Sequence, residues 1–232
     1  MKSGRFQKTY DCVEAIRQGR VTINNKVTIN SSHFFNPKKN LIKLDNEKLR
    51  AVSKLYFIMN KPAGYISQKS NTEKNIYDLL KNLNLPKETI QSLHAVGRLD
   101  KSTGGLMILT NDGSLSNIVM DPKNEIIKKY YAVLEKPADI NKIKSLEKGV
   151  EIEIDDVKYK TKPCKIKIVS EKEIYISISE GKKRQIRLMF ESIENPVTSL
   201  KRVSIAGLQL GKLNIGEIKQ ITREEIVEKL EF

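Results

Sequence analysis

The chain has 232 residues, and its 42 lysine and arginine residues against 28 aspartate and glutamate residues give a formal net charge of +14. This length suits one sizeable domain plus a small second one, and the charge suits a polyanionic partner. The sequence contains no run of 18 apolar residues, and no apolar segment follows the N-terminal charges. We therefore expect a cytoplasmic protein without a membrane association. Two distant cysteines and two histidines are too few for a zinc site, so no metal is expected.

The positive charge is unevenly distributed along the chain. Residues 1–54 contain 12 basic and 4 acidic residues, whereas residues 55–232 contain 30 and 24. This asymmetry predicts a basic N-terminal module over residues 1–50 and a larger domain over residues 51–232 whose charges nearly cancel. Such an arrangement suits a module that binds RNA or DNA and is attached to a catalytic domain. A solvated basic surface without a partner is the alternative interpretation.

The N-terminal module is predicted to contain a helix and a hairpin. Val and Ile at helical spacing favour a helix over residues 10–18, which Gly19 can end in a left-handed cap. The alternating segment "RVTINNKVTIN" predicts two strands around a tight Asn-Asn turn. Arg17 and Arg20 would then lie at the corner between helix and hairpin, where guanidinium groups can bind phosphates. A further strand and a polar connection to Arg50 complete the module.

The larger domain mixes strands and helices without regular βαβ spacing. An apolar strand ends at Lys61, an amphipathic helix is predicted over 75–83, and a buried strand over 105–110 leads into a helix capped by Asp112 or Ser114. Further strands and a final basic helix are predicted over 128–136, 150–155, 164–170, 173–180 and 182–193. We therefore predict an α+β fold around a central mixed, largely antiparallel sheet.

A lone carboxylate, Asp100, lies between a basic turn and a glycine-rich approach to an apolar run. Aspartate is common in turns for purely structural reasons. Phosphate-binding and dinucleotide-binding glycine loops are missing from the sequence, so a tyrosine pair at 130–131 and a basic helix start at 181–187 are the other candidate functional features. Such a helix start suits a phosphate, although alone it is typical of a solvated helix end.

The segment "GRLDKSTGGLMILTNDG" at residues 97–113 resembles the catalytic motif G-R-L-D-x-x-T-x-G-L-x-x-L-T-x-D-G of pseudouridine synthases that modify single uridines in ribosomal RNA. The stretches "NKPAGYIS", "KYYAV" and "EGKKRQIRLMF" follow the family's order, and the likeness extends over about residues 55–225. The N-terminal module resembles the alpha-L RNA-binding domain, shortened at its start. The chain also departs from the family at Leu188, where the family has a second arginine.

The resemblance implies a cofactor-free isomerisation in which Asp100 is the essential carboxylate, acting as a nucleophile on the sugar or as a base that starts glycal formation. It implies that Tyr131 packs against the flipped uracil and helps to remove the proton from carbon 5. A nearby cation would keep Asp100 ionised; we expect Arg187 in that role, with Arg98 as second choice. Thr103 and Gly104 are expected to shape the loop.

The implied partner is ribosomal RNA, either free or within partly assembled subunits, and we expect a monomer. The candidate RNA-binding residues are Arg17, Arg20, Lys61, Arg98, Lys182, Lys183 and Arg184, because a base can be extruded only if the flanking phosphates are held. Two other functions remain open. One is a non-catalytic RNA-binding ribosome assembly factor, and the other is a glycoside or nucleoside hydrolase that pairs Asp100 with Asp112.

Overall fold

The computed structural model describes residues 6, 9–36, 39–49 and 53–230, which form two compact units. The first contains the described residues up to 54 together with 82–94, and the second contains 55–81 and the residues from 95 onward. The predicted boundary at Arg50 lies outside the described residues. In the described ranges no helix is both long and apolar enough to cross a membrane.

The first unit is built from helix α1 (Thr9–Arg17) and a four-stranded antiparallel sheet in the order β2-β1-β3-β4. Its strands are β1 (Val21–Ile23), β2 (Lys26–Thr28), β3 (Ile42–Leu44) and β4 (Glu47–Lys48), and α3 (Lys87–Ser92) also belongs to this unit. The predicted hairpin is confirmed, because its two turn asparagines have φ values of 50° and 66°. The expected polar connection is instead a second hairpin, whose Asp-Asn turn has the same left-handed geometry.

The second unit is built on a mixed sheet whose seven main strands run in the order β11-β12-β8-β13-β7-β5-β15. Only β7 and β13 pair in parallel; every other adjacent pair on this path is antiparallel. The predicted α+β class with a largely antiparallel sheet is therefore confirmed. The strands of this part of the chain are β5 (Tyr56–Lys61), β6 (His94–Ala95, where the two units meet in sequence), β7 (Thr103–Thr110), β8 (Lys128–Leu134), β9 (Glu151–Ile154), β10 (Val157–Lys160), β11 (Lys165–Ile168), β12 (Glu173–Ile178), β13 (Val197–Ile205), β14 (Leu208–Gln209) and β15 (Ile218–Ile221).

In the described part of the second unit the helices are α2 (Ile76–Leu80), α4 (Gly113–Met120), α5 (Ile140–Glu147), α6 (Gln185–Glu191) and α7 (Arg223–Leu230), with a 3-10 turn at Pro122–Asn124. Strand β7 is almost entirely buried, and its Leu106 and Ile108 form a core cluster with Leu115 of α4 and Ile226 of α7. This packing fixes the start of β7, the point at which the Asp100 loop enters the sheet.

Strands β8 and β12 alternate strictly between a buried face and an open face. The isoleucines of β12 and Tyr130 of β8 are buried, whereas Tyr131 and Tyr175 lie on the other, partly exposed face. A two-residue period of this kind is expected where only one face of a sheet is covered. The second face of these strands is consequently available to solvent.

Two predicted helices are shorter than the sequence suggested. Helix α2 begins at the capping box formed by Asn75 and Asp78 and ends at Leu80, well before residue 83. Helix α6 begins only at Gln185, because Arg184 adopts a left-handed conformation with φ 53°. The cations at 182–184 therefore lie in a turn before the helix, which corrects the prediction of a basic helix start. Helix α5 and strand β10 were not predicted.

Candidate active site

Asp100 lies on a short loop between residues 99 and 103 whose backbone is held at every residue. Leu99 is fixed by the buried Ser67, whose Oγ donates to the Leu99 carbonyl at 2.7 Å and accepts from the Leu99 N–H at 3.0 Å. The N–H of Gly64 donates to the carbonyl of Lys101 at 2.7 Å, and the N–H of Thr103 donates to the carbonyl of Asp100 at 3.0 Å. The loop is thus preorganised before any substrate binds.

Lys61 lies beneath this loop and supplies a buried ammonium group. Its Nζ donates to the carbonyls of Pro62, Asp100 and Thr103 at 3.1, 3.2 and 2.8 Å. Burial lowers the pKa of Lys61 to about 8, an effect that the charge of Asp100 opposes and that of Arg202 reinforces. Its side chain is only 1% exposed and its donors are occupied by three carbonyls, which favours the expected alternative, support of the loop, over contact with RNA. Lys61 is an anchor of the loop.

Arg187 is the second buried cation beside the loop. The side chain, from α6, donates to the carbonyls of Val197 at 2.8 Å and Ser102 at 3.2 Å. Burial lowers the pKa of Arg187, the neighbouring Arg184 lowers it further, and the charge of Asp100 opposes the shift. Arg187 lies near enough to interact with the charge of Asp100, but no direct ion pair between them is found among the described residues. Arg187 instead holds the backbone two residues beyond Asp100 and acts on the carboxylate through space.

The Asp100 carboxylate itself is half-buried, and no hydrogen bond or ion pair to it is found within the described part of the chain. It lines an open cavity of about 580 Å³ together with Ala63, Gly64, Lys101, Ser102, Lys183 and Arg184. A carboxylate that is held by its backbone but free at its oxygens is available as a nucleophile or a base. Arg98, the second-choice cation, is exposed.

The glycine pair after the loop permits a close approach of three strands. A Cβ on Gly104 would lie 3.1 Å from the carbonyl oxygen of Lys61, so this position has little room for a side chain. Gly105 is more restrictive, because its φ is +104° and a Cβ there would lie 2.2 Å from the Arg202 carbonyl oxygen. The buried Arg202 in turn donates from Nε to the carbonyl of Leu106 at 2.7 Å. No role was predicted for Arg202 or Ser67, although Ser67 falls within the matched segment "NKPAGYIS".

Tyr131 lies on the open face of β8, directly opposite Lys201 of β13, which is itself opposite Gly104 of β7. The Tyr131 hydroxyl donates a hydrogen bond to Glu173, and this bond raises the pKa of Tyr131 above its usual value. Tyr131 is therefore a neutral phenol at physiological pH. Strand β13 lies between β8 and β7, and Tyr131 is on the same face of the sheet as Gly104.

Most of the candidate RNA-binding side chains outside the loop contact other protein groups. Lys183 forms an ion pair with Asp155, Arg184 contacts Glu191 at 3.2 Å, and Lys182 Nζ lies 4.8 Å from the centroid of the Tyr159 ring. In the first unit, Arg20 makes a bidentate pair with Asp45, and Arg17 is exposed at the end of α1. All of these contacts except the ring contact are exposed ion pairs, which are weak and exchange readily for a phosphate.

Asp112 serves a structural purpose. Its carboxylate caps α4 by accepting from the Ser114 N–H at 3.2 Å, and it also accepts from the Tyr56 hydroxyl at 2.8 Å. It is buried and does not line the cavity that contains Asp100. The hydrolase interpretation loses its second acid, because a glycosidase needs two carboxyl groups facing one bond. In the described residues no group of three histidine, cysteine or acidic side chains is arranged to hold a metal.

Comparisons with known proteins agree with this arrangement. A family model for RNA pseudouridylate synthase matches residues 55–192. The chain is 34% identical to ribosomal large subunit pseudouridine synthase B of Bacillus subtilis (strain 168), covering 92% of this chain and 86% of the relative. It is 32% identical to ribosomal small subunit pseudouridine synthase A of Escherichia coli (strain K12), covering 91% and 89%.

A solved structure described as a pseudouridylate synthase superposes with a TM-score of 0.70 at 31% identity and covers 96% of this chain and 94% of its own. The family model spans the Asp100 loop, β8 with Tyr131 and α6 with Arg187. The matched range therefore contains the elements that carry these three candidate residues. The chain belongs to the RNA pseudouridylate synthase family.

Proposed function

We propose that this protein converts a specific uridine in ribosomal RNA to pseudouridine and that Asp100 carries the reaction. The observation that supports Asp100 most strongly is the contrast between its fully anchored backbone and its unpartnered carboxylate in an open, cation-lined cavity. The relatives named above act, by their names, on the large and the small ribosomal subunit. RNA from both subunits is therefore a candidate substrate.

The reaction breaks the bond between the ribose anomeric carbon and nitrogen 1 of uracil and forms a bond from the same carbon to carbon 5. The proton on carbon 5 is lost and nitrogen 1 gains a proton, so the reaction is an isomerisation without redox change. Asp100 either attacks the anomeric carbon or removes a ribose proton to give a glycal. No cofactor takes part in either route.

Tyr131 is the proposed contact for the flipped uracil and assists the removal of the proton from carbon 5. Because its hydroxyl donates to Glu173, the pair offers a path along which that proton can leave the base. Arg187 and Lys61 are proposed as positioning residues, since both bind loop carbonyls. Thr103 and Gly104 keep the loop in shape.

Both proposed domains carry candidate RNA-binding residues. Residues 1–50 are proposed as a shortened alpha-L-type RNA-binding module that uses Arg17 and Arg20, and residues 51–232 as the catalytic domain. Arg98, two residues before Asp100, and the 182–184 turn, whose Lys183 and Arg184 line the cavity, would bind phosphates on either side of the flipped nucleotide. We propose a cytoplasmic monomer acting on rRNA or on partly assembled ribosomal subunits.

The test is to identify the product. Unmodified rRNAs of both subunits are incubated with wild-type protein, with Asp100→Asn and with a mock preparation, then digested to nucleosides and separated. Pseudouridine formed by wild type alone, in the RNA of one subunit, supports the proposal. Free uracil would instead indicate a hydrolase. Tight RNA binding by both proteins without any product, on naked RNA and on assembling particles, would favour the non-catalytic assembly factor.

A further inference from the structure

One row of residues crosses the open face of the sheet and ends beside the Asp100 loop. From edge to centre its members are Lys167 of β11, Tyr175 of β12, Tyr131 of β8, Lys201 of β13 and Gly104 of β7, each directly opposite the next. We infer that this lysine-tyrosine row is a track for single-stranded RNA and that Tyr175 stacks on the nucleotide next to the target uridine. The inference rests on the proposed function.

The row lies on the face that the core does not cover. Directly opposed residues in neighbouring strands project to the same side of a sheet. The intervening positions on these strands, such as Ile174, Ile176 and Leu200, are buried. Tyr175, Tyr131 and Lys201 are half-buried and Lys167 is exposed. An extended ligand can therefore contact several members of the row at once.

The chemistry of this face matches single-stranded RNA. Lys129 Nζ lies 4.5 Å from the centroid of the Tyr175 ring, and the rings of Tyr175 and Tyr131 are 5.5 Å apart at an angle of 58°. The acidic side chain on the face, Glu173, already accepts hydrogen bonds from Tyr131 and Ser170. Aromatic rings flanked by cations on a sheet are the usual platform for unpaired bases, because rings stack on bases and cations bind the phosphates.

The spacing assigns the two tyrosines to neighbouring nucleotides. Adjacent strands lie about 4.8 Å apart, so Tyr175 is one strand spacing farther from the active-site loop than Tyr131. If Tyr131 contacts the flipped uracil, Tyr175 is placed for the adjoining base. Lys201 lies between Tyr131 and the loop, and Lys167 lies beyond Tyr175. Both lysines are thus positioned for phosphates along one strand.

A tryptophan reporter tests the stacking directly, since the natural chain contains no tryptophan. Tyr175→Trp is titrated with a 12-nucleotide single-stranded oligouridylate, and Ile140→Trp, at a 61% exposed position on α5, is the matched control. We expect saturable quenching in Tyr175→Trp and none in the control. Unquenched fluorescence of Tyr175→Trp, whether or not the oligonucleotide binds, would overturn the inference.

Affinity measurements separate stacking from charge. Tyr175→Ala should weaken oligouridylate binding about 5- to 100-fold, as expected for the loss of one stacked base, whereas Tyr175→Phe should stay within about threefold of wild type. Lys201→Gln should reduce the slope of log affinity against log salt by about 0.7. Lys229→Gln, at an exposed lysine on α7, should leave that slope unchanged.

The outcomes distinguish this inference from the proposed function. If wild type forms pseudouridine but Tyr175→Ala binds and reacts like wild type, the track is wrong and the enzyme assignment stands. If quenching and the affinity losses occur but no pseudouridine forms, the track stands and the enzyme assignment fails. Circular dichroism of Tyr175→Ala shows whether the variant is folded, and Tyr175→Phe and Tyr175→Trp remain informative if it is not.

Discussion

The hydroxyl of Ser67 holds the residue immediately before the proposed catalytic carboxylate of Asp100, so Ser67→Ala tests whether loop anchoring controls activity. The Oγ makes two hydrogen bonds to Leu99, one to its carbonyl and one from its N–H, and Ser67 is only 6% exposed. The substitution removes one atom and leaves both backbone groups of a buried residue without this partner. It does not touch Asp100 or the cavity lining.

The magnitude follows from the two orphaned groups. Each buried polar group that loses its partner costs about 1–3 kcal/mol, so the free energy of unfolding should fall by about 3 kcal/mol. For a protein of this size that corresponds to a melting temperature lower by about 9 °C. A displacement of the reacting group by about 1 Å costs on the order of 100-fold in rate, and we expect a loss of this order in kcat.

The assay combines urea unfolding with single-turnover kinetics on the modified rRNA. Ser145→Ala is the control, because its Oγ bonds to the Lys142 carbonyl on the exposed surface of α5 and its loss should change stability by less than about 0.5 kcal/mol. RNA affinity should be unchanged in both variants. If Ser67→Ala is as stable as the control and turns over at the wild-type rate, the anchoring argument is refuted.

The remaining predictions concern the buried cations and the glycine crossing. The pKa of Lys61 is about 8 in the folded protein and 10.5 in a free lysine. Between these pH values the unfolded chain binds more protons than the folded protein. The contribution of Lys61 to the free energy of unfolding therefore becomes more favourable as pH rises through that window. Urea unfolding at pH 7 and 10.5 should therefore show the stability of wild type rising by about 3 kcal/mol relative to Lys61→Met; a constant difference contradicts the burial argument. Gly105→Ala should lose several kcal/mol of stability, since its Cβ meets the Arg202 carbonyl, and a wild-type melting temperature would exclude this clash. Arg187→Lys, which cannot span Val197 and Ser102 with a planar fork, should lower kcat at least tenfold with little change in KM; an equal rise in KM would assign Arg187 to binding.

The elements with strong local signals could be predicted from the sequence. The Asn-Asn turn, the glycine after α1, the Asp112 cap and the alternating strands β8 and β12 all follow from local chemistry. The motif around Asp100 also identified the family, because its glycines, threonine and acidic residues have a specific spacing. The function was therefore predictable from the segment at residues 97–113 and from the order of the three shorter segments around it.

Properties that depend on distant contacts could not be predicted. Lysine is normally exposed, and only the three carbonyls that converge on Lys61 explain why this one is buried. Likewise, the left-handed Arg184 depends on the turn that precedes α6, and no periodicity indicates it. The cross-strand row of Lys167, Tyr175 and Lys201 exists only in the register of the folded sheet.

We propose that the free carboxylate of Asp100 performs the chemistry while the groups around it hold its backbone. The most direct test is the single-turnover release of tritium from carbon 5 of uridine, with wild type and Asp100→Asn in excess over the rRNA that wild type modifies, and with affinity measured in parallel. Wild type should release one tritium per target uridine, and Asp100→Asn should release none at equal affinity. Release by Asp100→Asn within tenfold of the wild-type rate would contradict it.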